Sequence, residues 1–167
     1  MSGLGLRIAT PDDRDAVALV LGSSYPRLWT GVYPPELLER ALPLTTRPNP
    51  ELLGSGRYYL VETESGEPAG CGGWSSNPPD RSDDDRSRAH IRHFATHPAF
   101  LRRGVGRLIY ERCEADARAA GFTLFEAYAS LNGEAFYASL GFRRLELIET
   151  PMPGGVRFPA VRMERSI

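Results

Sequence analysis

The run Leu101-Arg102-Arg103-Gly104-Val105-Gly106-Arg107 has the residue types and spacing best suited to holding a ligand. It joins a β-patterned run ending near His97 to a long helical pattern that begins at about Gly104. Glycines at a strand-to-helix junction leave successive backbone N–H groups at a helix N-terminus, partly positive and without intrahelical partners. Such a junction suits a phosphate. A glycine pair before a helix also makes an ordinary tight turn, so both readings stand at this point. Two familiar phosphate motifs are excluded. The chain contains no lysine, which a P-loop needs. A dinucleotide fingerprint needs a third glycine and usually opens its domain, whereas this junction lies well past the midpoint.

Other chemistry-bearing residues are sparse. His90, His93 and His97 would share one face of a helix, but Ile91, Phe94 and Thr96 favour a strand and Pro98 would break a helix begun there. On a strand, alternation sends His90 and His93 to opposite faces, and His93 and His97 lie ~13 Å apart. The spacing therefore predicts no zinc site. Asp80 to Asp85 lacks the glycine and closing glutamate of a calcium loop. Cys71 and Cys113 are isolated, which excludes a CxxC redox pair or a zinc knuckle.

At 167 residues the chain is expected to form a single domain, 1–167, burying ~70% of its unfolded surface. Its apolar and charged fractions, 41% and 25%, are those of an ordinary globular protein. A net charge of −1 argues against nucleic acid as a partner. The opening stretch MSGLGLRIATPDD lacks the apolar core of a signal peptide, and no apolar run approaches the ~20 residues that span a bilayer. No membrane partner and a cytoplasmic location are the expectations.

The elements that must position these residues follow from pattern and punctuation. Leu6 to Ala9 reads as a strand, followed by Thr10, Pro11 and Asp13 as a capped helix start; that helix runs to about Gly22. A loop carrying Tyr25, Trp29 and Tyr33 leads to a helix from Pro35 to Leu42, and Asn49-Pro50 caps a short turn. Tyr58 to Thr63 and Pro68 to Trp74 read as a hairpin joined by Glu64-Ser65-Gly66-Glu67. Ser75 to Arg88 reads as a mobile loop and His90 to Thr96 as the next strand. Val105, Leu108, Ile109 and Cys113 recur at helical spacing, and Gly121 would cap that helix. Leu124 to Ala129, Leu145 to Glu149 and Val156 to Met163 read as strands, with a short helix from Gly133 to Leu140 capped by Gly141. The order predicts an α/β (α+β) domain: a mixed sheet of six to seven strands with helices on both faces.

Three ordered segments resemble the GCN5-related N-acetyltransferase (GNAT) superfamily. They are HIRHFATHPAFLRRGVGR from His90 to Arg107, the hairpin with Gly66, Gly70 and Trp74, and SLNGEAFYASLGF from Ser130 to Phe142. The resemblance covers most of the chain from about Leu6. One departure is Leu101, where the family's pyrophosphate loop usually starts with Gln or Arg. The resemblance implies acetyl-CoA as co-substrate, with no metal. It implies that Phe94, Ala95 and Thr96 pair with the pantetheine arm. The amides of Arg102, Arg103, Gly104, Val105, Gly106 and Arg107 would meet the pyrophosphate, with Arg102 or Arg103 supplying charge. Asn132 falls on a cofactor-contacting position, and would also suit a helix N-cap.

The implied reaction is direct acetyl transfer to a primary amine of a small molecule or peptide. An alkylamine of pKa ~10.4 is neutral in about one molecule in 2,500 at pH 7, a deficit of roughly 4.6 kcal/mol. A base must therefore act, directly or through a water relay, and an acid must protonate the departing thiolate. Tyr137 matches the family's acid position. His90 falls where a Glu or His serves as base in several relatives, and a histidine's ordinary pKa of about 6.5 suits that role; Glu62 is the reserve. Tyr25, Trp29 and Tyr33 are the expected acceptor contacts, with a loop pinned by core aromatics as the alternative. Cys113, within a core-facing stripe, is not expected to be a nucleophile. The rival functions are an inactive acyl-CoA-binding sensor and a protein N-acetyltransferase; a homodimer is allowed.

Overall fold

The computed structural model describes residues 3–77 and 88–167. Strand β1 (Leu4–Ile8) leads to Thr10, whose side chain accepts from the Asp12 amide while Asp13 reaches back to the Thr10 amide. A single 3-10 turn, Pro11–Asp13, then starts α1 (Arg14–Trp29). This helix runs through Pro26 and seven residues past the expected end at Gly22. An interior proline costs about 3 kcal/mol. Continuing the helix buries Tyr25 and Trp29 against neighbouring aromatics, and a large apolar side chain contributes roughly 1.5–3 kcal/mol. Two such side chains outweigh the proline. Helix α2 (Pro35–Thr45) likewise passes Pro43, and Asn49 caps the one-turn α3 (Pro50–Leu53) by accepting from the Glu51 amide.

The remaining elements are β2 (Tyr58–Thr63), β3 (Pro68–Ser75), β4 (Arg88–Thr96), α4 (Val105–Ala119), β5 (Leu124–Ala129), α5 (Glu134–Ser139), β6 (Arg143–Met152) and β7 (Val156–Ser166). Both anticipated glycine caps are left-handed: Gly121 at φ +94° and Gly141 at φ +96°. At the first, the Phe122 and Gly121 amides return to the Ala117 and Arg118 carbonyls; at the second, Phe142 and Gly141 return to Tyr137 and Ala138. Most of the run expected to be a mobile loop, and the acidic Asp80 to Asp85, lie outside the described residues; Ser75 ends β3 and Arg88 begins β4.

Seven strands form one sheet in the order β1-β2-β3-β4-β5-β7-β6, antiparallel except for β4 and β5. On one face α4 covers Tyr59, Val61, Ala69, Ile91 and Phe125. On the other, Val17, Val20 and Leu21 of α1 cover Tyr58, Leu60, Cys71 and Ala95. A third cluster joins Trp29, Tyr33, Leu38 and Ala41 to Val156 and Phe158 of β7.

Two irregularities interrupt the sheet at its centre. Cys71 pairs with Ala95 and Gly73 with Arg92, so His93 and Phe94 together stand opposite Gly72. This β-bulge holds His93 at φ +54°. Gly72 is required there, because a Cβ would fall 2.4 Å from the Phe94 ring. Beyond the bulge, β4 and β5 are paired only from Arg88 to His90 against Leu124 to Glu126, and then diverge.

Candidate active site

The divergence of β4 and β5 opens a cavity of about 870 Å³, walled by Ile91 to Thr96 on one side and Tyr128 to Ser130 on the other. Ala95 and Thr96 pair with β3 on one edge and Phe94 sits in the bulge, while among the described residues no strand pairs with their other edge. A backbone edge of that kind is a template for an extended, amide-containing ligand arm.

At the C-terminal end of β4 the cavity reaches the glycine junction. Arg102 (φ +62°) and Gly104 (φ +78°) both turn left-handed, and Gly104 is the N-cap of the 15-residue α4. No side chain caps that helix, so the first-turn amides of Val105, Gly106 and Arg107 remain available. The two glycines serve different ends. A Cβ on Gly104 would meet nothing within 4 Å, so its role is conformational, whereas one on Gly106 would strike the Phe136 ring at 2.8 Å. Arg102, Gly104, Val105, Gly106 and Arg107 line the cavity. Arg103 does not; its guanidinium lies over the Phe100 ring at 5.2 Å. Asn132 lines the cavity, and the N-cap of α5 falls on Gly133 instead.

Tyr137, on α5, faces the same space, with its ring held by Phe94, Phe136 and Phe142. Burial pushes its phenol well above the ordinary value of 10, and the neighbouring Cys113 adds to this. The hydroxyl is therefore protonated at neutral pH, while the same burial makes it a weaker acid than a free phenol. Tyr25 and Trp29 also line the cavity, on α1 rather than in a loop, their rings stacked at 4.3 Å and 9°. Tyr33 is set back from the cavity: its hydroxyl donates to the Pro159 carbonyl and accepts from the Leu131 amide.

His90 does not reach this space. It is 2% exposed, is absent from the cavity wall, and has Nδ1 3.2 Å from a Glu126 oxygen, in ion-pair range but not aligned as a hydrogen bond. Burial alone would raise the Glu126 carboxyl, but His90, Arg162 and Arg88 outweigh it and hold that group at about 2. His90 thus sits with Glu126, Arg88 and Arg162 beside the cavity and does not line it, so the structure does not place it with Tyr137 as expected. Glu62 does not line the cavity either and pairs with Arg7 at 2.8 Å.

The imidazole that does line the cavity is His93. Strict alternation would put it on the face of Ile91, beneath α4. The extra residue in the bulge swings it to the α1 face, against Tyr25 at 6.0 Å. A histidine at a strand centre carries no sequence mark of a bulge. The available hint is the Gly72-Gly73 pair on the neighbouring strand, since an isolated glycine in a strand pattern marks close backbone approach. Among the described residues, no Asp or Glu lines the cavity, while Arg47, Arg92, Arg102 and Arg107 do. Neither thiol is a usable nucleophile: both cysteines are fully buried, and burial raises Cys113 and pushes Cys71 up to about 12.

Residues 21–142 match the family described as Acetyltransferase (GNAT) family. No curated protein matches the chain. Among solved structures, a GCN5-related N-acetyltransferase from Rhodopseudomonas palustris, also described as aminotransferase class-II, superposes with a TM-score of 0.82 at 23% identity, over 100% of this chain and 98% of that one. PaiA N-acetyltransferase from Thermoplasma acidophilum, in complex with coenzyme A, gives 0.75 at 16% identity over 100% of both chains. The ribosomal-protein-S18-alanine N-acetyltransferase of Escherichia coli gives 0.63 at 17%, over 98% of this chain and 94% of that one. At these identities the likeness is one of fold.

Proposed function

The chain belongs to the acetyltransferase (GNAT) family, and we propose that it transfers an acetyl group from acetyl-CoA directly to the primary amine of a small molecule or peptide. The observation that carries this reading is the continuity of the β4–β5 wedge with the uncapped start of α4 and with Tyr137 in one cavity. Acetyl-CoA would supply an activated thioester, a diphosphate and an amide-bearing arm. Backbone amides from Arg102 to Arg107, with the guanidiniums of Arg102 and Arg107, suit the diphosphate. The open edge of Phe94 to Thr96 suits the amides of the arm. Tyr137 would hand its proton to the departing sulfur, a general-acid contribution of ~10²–10⁴.

Direct transfer is supported by the two buried, neutral thiols, which leave no cysteine to carry an acyl group. The carboxylate-free wall of described residues favours an acceptor whose only cation is the reacting amine. A second ammonium would meet arginines with nothing to neutralise it. Following free thiol release from acetyl-CoA across a panel of amines, amino acids and peptides tests the proposal. Acetyl-CoA binding without turnover on any of them would instead support an acyl-CoA-binding sensor.

A further inference from the structure

We propose that His93 is the general base of the reaction, taking the acceptor's proton at Nδ1. The inference rests on the acetyltransferase reading above and concerns a residue that neither sequence pattern nor family match points to.

Three observations fix the ring. The bulge opposite Gly72 turns His93 toward α1 and α2, into the cavity wall. The bulge is held on both carbonyls: the Tyr58 hydroxyl donates to His93 O at 2.8 Å, and the Tyr25 hydroxyl donates to Phe94 O at 2.7 Å. Finally, His93 Nε2 lies 2.7 Å from the Thr45 carbonyl at the end of α2. A carbonyl can only accept, so Nε2 must carry the proton and donate it. In the neutral ring this leaves the lone pair on Nδ1. That atom has no hydrogen-bond partner among the described residues, and the side chain is half-buried in the cavity wall.

The surroundings keep the ring neutral. The groups facing it are Tyr25 from α1, Tyr58 from β2, the Thr45 carbonyl from α2 and Arg92 from its own strand. Burial raises both phenols, so neither bears charge. Burial above all lowers the His93 imidazole below 6.5; the Thr45 carbonyl pulls the other way, and Arg92 lowers it further. At pH 7 the base is therefore in its proton-accepting form. The same carboxylate-free cavity disfavours an ammonium ion, which brings the acceptor's own pKa down toward that of the ring.

The protons balance as follows. Nδ1 takes one proton from the alkylammonium acceptor, and the freed amine nitrogen forms the new C–N bond. The thioester C–S bond breaks with its electron pair on sulfur. Tyr137 gives that sulfur a proton and recovers one from the nitrogen as the amide forms. His93 then releases its proton to solvent, for a net yield of amide, thiol and one proton.

The test compares His93→Asn with His90→Gln on an alkylamine and an arylamine acceptor found by the amine screen. Asn tolerates left-handed backbone, so the bulge survives. Expected are a loss in kcat/KM of ~10²–10⁴-fold with the alkylamine, disappearance of an ascending pH limb below about 6.5, and a much smaller loss with the arylamine, already neutral. Acetyl-CoA affinity by calorimetry should be unchanged, and imidazole should partly restore His93→Gly. Equal losses on both amines, or loss of the limb in His90→Gln but not in His93→Asn, would overturn the assignment. An independent measurement needs no turnover: ¹⁵N imidazole spectra should show the Nε2–H tautomer at neutral pH, and an Nδ1–H tautomer would refute the role. A wild-type protein that neither binds acetyl-CoA nor uses any amine would sink the acetyltransferase reading and this base with it.

Discussion

Replacing Gly104 by Asp separates ligand binding from folding. The position is left-handed at φ +78°, a conformation Asp and Asn tolerate better than other side chains, and an added Cβ meets nothing within 4 Å. Asp is also a favoured N-cap, worth a few tenths to 1 kcal/mol beside the positive end of a helix dipole. The variant should therefore fold, with a melting temperature close to wild type. Binding should suffer instead. At about 6 Å and an effective dielectric of about 40, each like-charge pair costs about 1.4 kcal/mol, so two phosphate charges cost about 2.8 kcal/mol unscreened. Screening over a Debye length of about 8 Å roughly halves this, so acetyl-CoA affinity should fall roughly tenfold. Gly104→Asn has the same shape without the charge and should bind within about threefold of wild type. Isothermal calorimetry at two salt concentrations is the assay, and the gap between Asp and Asn should narrow at high salt. Folded Asp and Asn variants that bind equally well at low salt would refute a phosphate at this helix start.

Tyr137→Phe should retain acetyl-CoA affinity and lose ~10²–10⁴ in kcat, read in a thiol-release assay; wild-type turnover would return the phenol to a packing role. The buried Glu126 carboxyl, lowered from 4.5 to about 2, contributes stability that is present above pH 4.5 and lost as pH falls toward 2. Denaturant titrations should accordingly show the gap between wild type and Glu126→Gln shrinking by roughly 2–3 kcal/mol from pH 6 to pH 2. Incubation with acetyl-CoA alone should leave Cys71 and Cys113 unmodified, since both are fully buried; an acetylated cysteine peptide by mass spectrometry would contradict direct transfer.

Much of this architecture is written locally. The hairpin of β2 and β3, the Thr10 and Asn49 caps and the glycines ending α4 and α5 are fixed by residues within a few positions of one another. Such short-range chemistry reads directly from the chain. What failed to read depends on distant partners. Helix α1 passes Pro26 because Trp29 finds Phe158, more than a hundred residues away. Tyr33 reads as an acceptor contact until Pro159 and Leu131 take its hydroxyl. His93 reaches the cavity wall for a related reason. Period-two alternation assumes an unbroken ladder, and one extra residue opposite Gly72 inverts it for everything downstream. The loop at Gly104 was legible because what it offers are backbone amides, whose exposure two glycines and a helix start already dictate.

The short seam between β4 and β5 also bears on how this protein comes apart. Among the described residues three pairs join them, against five at β1–β2 and six at β5–β7, so the sheet is two antiparallel ribbons joined by one brief parallel contact. The core beneath α4 spans both ribbons, with Tyr59, Val61 and Ile91 in one cluster with Phe125, Ala127 and Val161, so they are expected to melt together while the seam itself opens locally. A ligand arm laid along Phe94 to Thr96 would bridge the two ribbons. Bound at a hundred times its Kd, it adds about 2.7 kcal/mol to the closed form alone. Hydrogen exchange would then slow together in β4 and β5, most where the seam opens.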